Sequence, residues 1–142
     1  MTQMIRHAAD FFSVAALAFL LVACAGNDYP NRNVDGMWKL RTMESQETGV
    51  QPVDTIFYNF HRGSLFSCTQ FDGEMTQMLR MWNGYFGFSK DNAIHISLAE
   101  SYRYEAAPWG GEEQKAVFHI VQHTSSKLIL EREGVTYHFI KF

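Results

Sequence analysis

From residue 36 to the C-terminus the chain is a series of short apolar runs with a period of two, broken at close intervals by Gly, Asn, Asp and Ser. Successive side chains on a strand point to opposite faces, whereas a helix repeats every 3.6 residues, so this pattern demands sheet. The clearest runs are 37–43, 55–61, 65–70, 75–82, 85–89, 93–98, 116–123, 128–132 and 135–142. Arg62-Gly63-Ser64, Phe71-Asp72-Gly73, Asn83-Gly84, Lys90-Asp91-Asn92 and Glu133-Gly134 supply turn chemistry between them. No long helical stripe follows residue 36; Met75, Met78, Leu79 and Trp82 share helical spacing, but the flanking Gly73, Thr76 and Asn83-Gly84 suit a strand at least as well. Eight or nine sequential strands on short turns predict an all-β fold, a small antiparallel up-and-down barrel that closes to remove its edges.

The faces are readable in part. Ile56, Tyr58 and Phe60 share one side of their strand, with Phe57, Asn59 and His61 on the other. In the last hairpin Leu128 and Leu130 face Tyr137 and Phe139. The run 116–123 is apolar on both faces, which predicts a strand covered on both sides. With 142 residues, one domain is expected. Aromatics make up 15% of the chain and Phe occurs 12 times, a stock that suits pleated surfaces.

The first 35 residues are of another kind. Phe11 to Val22 read FFSVAALAFLLV after a short polar start carrying Arg6 and His7. A spanning helix needs roughly 20 apolar residues, so this run is too short and has the length of a signal-peptide core. It ends in Leu21-Val22-Ala23-Cys24, followed by Ala25-Gly26. That sequence resembles the lipobox of bacterial lipoproteins, in which the Cys takes a diacylglyceryl group and the chain is cut before it. The resemblance implies a type II signal peptide over residues 1–23, lipid on Cys24, and attachment to a membrane by that lipid. Ala25 in place of Asp implies the outer membrane rather than retention at the inner one. The polar stretch 25–35, AGNDYPNRNVD, reads as a tether reaching roughly 35 Å when extended. The expected organisation is thus 1–23 signal, 24–35 lipidated Cys and tether, and 36–142 barrel.

Charge excludes some partners. Arg6 and Asp10 are the charged side chains before Cys24, so the net charge is −3 with or without that segment. No basic stripe is present, which speaks against nucleic acid, and no polybasic patch would hold the chain on anionic lipid. The chain contains two cysteines. With Cys24 lipidated, Cys68 has no disulfide partner, and its strand-like setting LFSCTQF reads as a small buried hydrophobe.

Gly36-Met37-Trp38 opens the first strand, and the chain ends in a hairpin from Leu128 to Phe142. Together these resemble the lipocalin-like lipoproteins common in Bacteroidetes, over residues 36–142. The resemblance implies that Trp38 closes the bottom of the barrel and that a late basic residue, Arg132 or Lys141, stacks on its ring. It implies little about ligand.

Two functions are open from the sequence. In one, the barrel interior holds a small apolar or amphipathic ligand, with Trp38, Tyr58, Phe60, Phe66, Met78 and Trp82 as candidate lining. In the other, the core is filled and an envelope protein or glycan is touched through Tyr102, Tyr104 and Trp109, the last on the Gly-rich loop PWGG. Trp109 reads equally as folded back on the core edge. No enzyme is expected: nucleophile elbow, phosphate loop, dinucleotide fingerprint and Cys-x-x-Cys are all missing from the sequence. Nor is a metal or cofactor. His119 and His123 look like a metal pair only on a helix; four apart on a strand they stand roughly 13 Å from each other, too far to share a zinc bonded at about 2.1 Å.

Overall fold

The computed structural model describes residues 33–102 and 105–142. The expected signal peptide, Cys24, the tether up to residue 32 and Tyr104 lie outside the described residues. Strands run β1 Gly36–Ser45, β2 Gly49–Pro52, β3 Ile56–His61, β4 Leu65–Phe71, β5 Met78–Ser89, β6 Ala93–Leu98, β7 Lys115–His123, β8 Lys127–Arg132 and β9 Val135–Lys141. A 3-10 turn, Glu100–Tyr102, interrupts the β6–β7 connection.

Sequential strands from β3 to β9 pair antiparallel, and β1 pairs β3 on one edge and β9 on the other. Eight strands therefore close into a ring, and the expected all-β barrel is present. β2 is an extra strand. It pairs Thr42–Ser45 of β1 on the edge that Gly36–Lys39 offer to β3, so it prolongs the β3 side of the wall. Its sequence, GVQP, is exposed throughout and carries no apolar alternation, which is why the sequence pattern does not announce it. The β8–β9 hairpin turns on Glu133 (φ 51°) and Gly134 (φ 79°), the two left-handed residues that a tight I′ turn requires.

The Asn83-Gly84 turn expectation is overturned. Both residues lie inside one long β5, Met78–Ser89, which joins the second part of the predicted run 75–82 to the run 85–89, residues 75–77 belonging to the β4–β5 turn. Asn83 pairs Ser67 of β4, and Gly84 pairs Phe66 on one side and Leu98 of β6 on the other. A Cβ at Gly84 would stand 2.1 Å from the Ser97 carbonyl oxygen. The glycine serves a close approach of β5 and β6, not a reversal.

The expectation of a doubly covered β7 is overturned as well. Ala116 and Phe118 are buried, but Val117 and Val121 are exposed on the outside. The β7–β8 register shifts between Ile120 and Gln122, which leaves Val121 at a bulge and breaks the alternation that suggested two buried faces.

Two ends organise the interior. At the Trp38 end sit the start of β1, the C-terminus and the β3–β4, β5–β6 and β7–β8 turns. At the other end the β6–β7 segment folds over the barrel and buries Ala107 and Trp109. Between them the inward set is a continuous core of Trp38, Leu40, Tyr58, Phe60, Phe66, Cys68, Trp82, Phe86, Ile94, Ile96, Phe118, Leu128, Leu130, Tyr137 and Phe139.

Candidate functional site

An eight-stranded barrel is just wide enough either to be filled by side chains or to hold one small ligand. Here rings occupy the axis. Tyr58 lies at the centre, with ring centroids 5.3 Å from Phe66, 4.9 Å from Phe139 and 6.3 Å from Phe118. Phe60 continues the chain of rings at 5.5 Å to Phe66 and 4.9 Å to Phe86. Phe118 extends it the other way, at 5.4 Å to Tyr137 and 5.9 Å to Trp109. Most of these are edge-to-face contacts, the arrangement that adds to plain area burial. Of the residues expected to line a cavity, Trp38, Tyr58, Phe60, Phe66 and Trp82 do face inward, and they pack on one another or on neighbouring core residues.

Met78 does not face inward, which corrects its place in that set. The β4–β5 register shifts between Gln70 and Phe71: Gln70 opposes Arg80, and Phe71 opposes Met78 rather than Leu79. This bulge reverses the phase of β5 and turns Met78 outward, 50% exposed. Arg80 takes the position beside Trp82, its guanidinium 5.3 Å from that ring.

Both barrel ends are stoppered. At one, the Trp38 indole donates a 2.8 Å hydrogen bond to the Val34 carbonyl. The Lys141 ammonium lies 4.6 Å from the ring and also donates to the Asp35 carbonyl. Lys141 is therefore the cation on Trp38. His123 meets the same ring edge-on at 5.9 Å, whereas His119 pairs Glu131 on the outer face, so the two histidines serve opposite sides of the wall. Arg132 belongs to the far end, where it bonds Glu113 at 3.0 Å and Glu133 at 3.3 Å. Also there, Trp109 is only 6% exposed and its indole donates to the Glu113 carbonyl at 3.0 Å. The Trp82 indole donates to the Ala106 carbonyl at 3.1 Å and ties the same segment down. Tyr102 is half-buried against the core. Of the aromatics expected to meet a partner, Tyr102 and Trp109 are thus engaged with the barrel, and Tyr104 lies outside the described residues: Trp109 has folded back, and it closes the end.

Buried hydroxyl and thiol groups are held neutral. Burial pushes the Tyr58 phenol up, with smaller like-signed contributions from Cys68 and Tyr137. Burial alone pushes the Cys68 thiol up. A thiol so placed forms no thiolate near neutrality and is no nucleophile. Among the described residues no group of three His, Cys, Asp or Glu is placed to hold a metal ion.

A concave feature with binding chemistry lies outside the wall. A groove of about 420 Å³ crosses the outer face of β3, β4 and β5. It is lined by Asn59, His61, Leu65, Ser67, Asn83, Tyr85 and Ala99, with the inward residues Phe66 and Gly84 at its floor. The register sets these side chains in two rows: Asn59, Ser67 and Asn83 abreast, and beside them His61, Leu65 and Tyr85. Adjacent strands are about 4.8 Å apart, so each row spans roughly 10 Å. The Asn83 amide donates to the Tyr102 hydroxyl at 3.3 Å, and Ala99 donates its N–H to the Asn83 carbonyl at 2.8 Å, so the 3-10 turn forms one rim. Tyr85 stands 63% exposed. The sequence pattern did not single out this set. The signal it held was Asn at mid-strand, twice, since Asn is depleted in strands unless its side chain has other business.

Over residues 19–142 the chain matches the family model described as a lipocalin-like domain. Among solved structures it is similar to a lipocalin-like protein from Bacteroides uniformis, with a TM-score of 0.65 and 27% identity, covering 76% of this chain and 97% of that one. It is also similar to an uncharacterized protein from Bacteroides eggerthii, with a TM-score of 0.62 and 26% identity, covering 76% and 98% respectively. No curated protein matches it in sequence.

Proposed function

The chain belongs to the lipocalin-like domain family, and from that premise we propose a lipid-anchored protein of the cell envelope that binds without catalysis, through the outside of its barrel rather than the inside. The observation that carries this is the run of rings from Phe86 through Tyr58 to Trp109 along the axis. A ligand inside would have to displace Tyr58, Phe66 and Phe118 from one another and from a core packed on all sides. The small interior ligand is the rival reading of any such barrel, and the filled axis weighs against it. Attachment through lipid on Cys24, and residence at the outer membrane, rest on Leu21-Val22-Ala23-Cys24-Ala25. The buried, protonated Cys68 supports a non-enzymatic reading.

Native mass spectrometry of the full chain extracted from its own envelope tests the proposal. The expected mass is the polypeptide from Cys24 onward with its acyl groups. A further stoichiometric mass that partitions into the organic phase, as an apolar ligand does and a saccharide does not, would show an occupied interior and overturn it. Changing Cys24→Ala should move the protein from the membrane fraction to the soluble one; unchanged membrane retention would refute the anchor.

A further inference from the structure

We infer that the outer groove of β3, β4 and β5 is a binding site for a neutral saccharide, an inference that rests on the reading that the protein works through its outer face. Among the described residues the lining contains no Asp, Glu, Lys or Arg, and His61 is the one side chain there that can carry positive charge. A phosphate, sulfate or carboxylate would find one imidazole there and none of the Lys or Arg clusters that hold such groups by charge-assisted bonds, among the described residues. What the groove does offer is a dense row of uncharged groups that donate and accept at once. Each Asn amide presents a carbonyl oxygen and an NH2 side by side, and Ser67 adds a hydroxyl. Such pairs match vicinal sugar hydroxyls, which themselves both donate and accept.

The second row supplies the other half of sugar recognition. A pyranose ring carries a patch of axial C–H bonds on one face, and the negative face of an aromatic ring attracts their slightly positive hydrogens. Tyr85 is exposed beside the Asn59–Ser67–Asn83 row, with Leu65 directly opposite it on β4. Tyr85 and Leu65 form an apolar strip that ends at His61, the amides and Ser67 a polar strip, and the two run parallel about 7 Å apart, two residues along each strand. A sugar ring lying in the groove has one edge of hydroxyls on the amides and its C–H face on Tyr85. The row length of roughly 10 Å fits one or two sugar units. The Asn83 amide already has the Tyr102 hydroxyl, so a purely apolar ligand would cover the Asn59 amide and the Ser67 hydroxyl without bonding them, and that is what favours the sugar.

The experiment is a titration of the isotopically labelled full chain, followed by amide NMR, with neutral oligosaccharides of glucose, mannose, galactose and N-acetylglucosamine. Uronic-acid and sulfated oligosaccharides form a second arm, and a short-chain fatty alcohol a third. The expected result is saturable shifts at Asn59, Ser67, Asn83 and Tyr85 with a neutral sugar. Tyr85→Ala should weaken binding on the order of tenfold or more, as loss of a central aromatic anchor does, while Tyr85→Phe retains most of it and neither variant shifts the melting temperature appreciably. Asn59→Ala and Ser67→Ala should each weaken binding with the fold intact. The inference is overturned by no shift with any neutral sugar up to roughly 10 mM, well above the Kd of about 1 mM that marks a weak single site. It is equally overturned by preference for the acidic sugars or the alcohol, or by binding that Tyr85→Ala leaves unchanged. Any of these would leave the filled-interior reading standing, because that is read separately from the native mass.

Discussion

Replacing Trp109 by Ala separates a stopper from a contact for partners. A Trp that meets only partners can be truncated at little cost to the fold, whereas one that closes a core cannot. Trp109 is 6% exposed, meets Phe118 edge-to-face at 5.9 Å and bonds the Glu113 carbonyl at 3.0 Å. Truncating a buried Phe or Trp to Ala costs about 3–5 kcal/mol. The site lies at the barrel end, on a loop that can partly collapse into the space left, so the lower part of that range applies, about 3 kcal/mol. For a domain near 100 residues each kcal/mol moves the melting temperature by about 4 °C or somewhat more. The midpoint of Trp109→Ala should therefore fall by roughly 12 °C, read by far-ultraviolet circular dichroism on the full chain in mild detergent. Trp109→Phe keeps an edge for Phe118 and loses the N–H donor; it should cost about 1–2 kcal/mol. A drop of less than about 4 °C for the Ala variant, or equal losses for both, would refute the argument that Trp109 seals the core.

Three further outcomes follow from the same interior. Gly84→Ala drives a methyl into the Ser97 carbonyl oxygen across the β5–β6 ladder, so it should destabilise by about 3 kcal/mol or more, unlike Gly87→Ala, whose added carbon meets nothing within 4 Å; chemical denaturation of the two side by side checks this. Cys68 should resist a thiol reagent in the native protein and react fully in guanidinium; rapid native labelling would refute its burial. Tyr58, Tyr137 and Cys68 all have folded-state pKa values raised by burial. The unfolded chain then releases these protons first, so stability is complete below a pH of about 8.5 and falls as pH rises through the ordinary thiol and phenol range toward 10 and beyond. Denaturant midpoints that stayed constant from pH 8 to about 11 would contradict it.

The fold was legible because inward residues keep strict alternation where it matters. Tyr58 and Phe60, Leu128 and Leu130, Tyr137 and Phe139 sit as their period of two requires. Alternation failed at the bulges. Leu79 and Val121 each insert a residue, and beyond Leu79 the face of Met78 inverts, an offset set by pairing with a neighbour and invisible in one strand's own sequence. Gly84 failed for a related reason, since Asn-Gly is turn chemistry locally and only the packing of Ser97 against it shows another use. Trp109 could be read both ways because a Gly-rich loop says nothing of where it lands. The groove was harder still. Its members come from three strands, and the distance between Asn59 and Asn83 along the chain hides that Ser67 stands between them in space.

The seam between β1 and β9 has a consequence for how the molecule is made. Trp38 pairs Lys141, partners about a hundred residues apart, so the first strand finds its second edge only when the last strand has been delivered. Until then β1 and β8 present open edges, and each open edge invites another chain. A topology that postpones its most distant pairing folds slowly. The final seven-residue strand, Val135–Lys141, thus acts as a latch on assembly. A chain shortened by that one strand would lose a small fraction of its mass and all of its closure, and its fate would be association with its own kind rather than a smaller barrel.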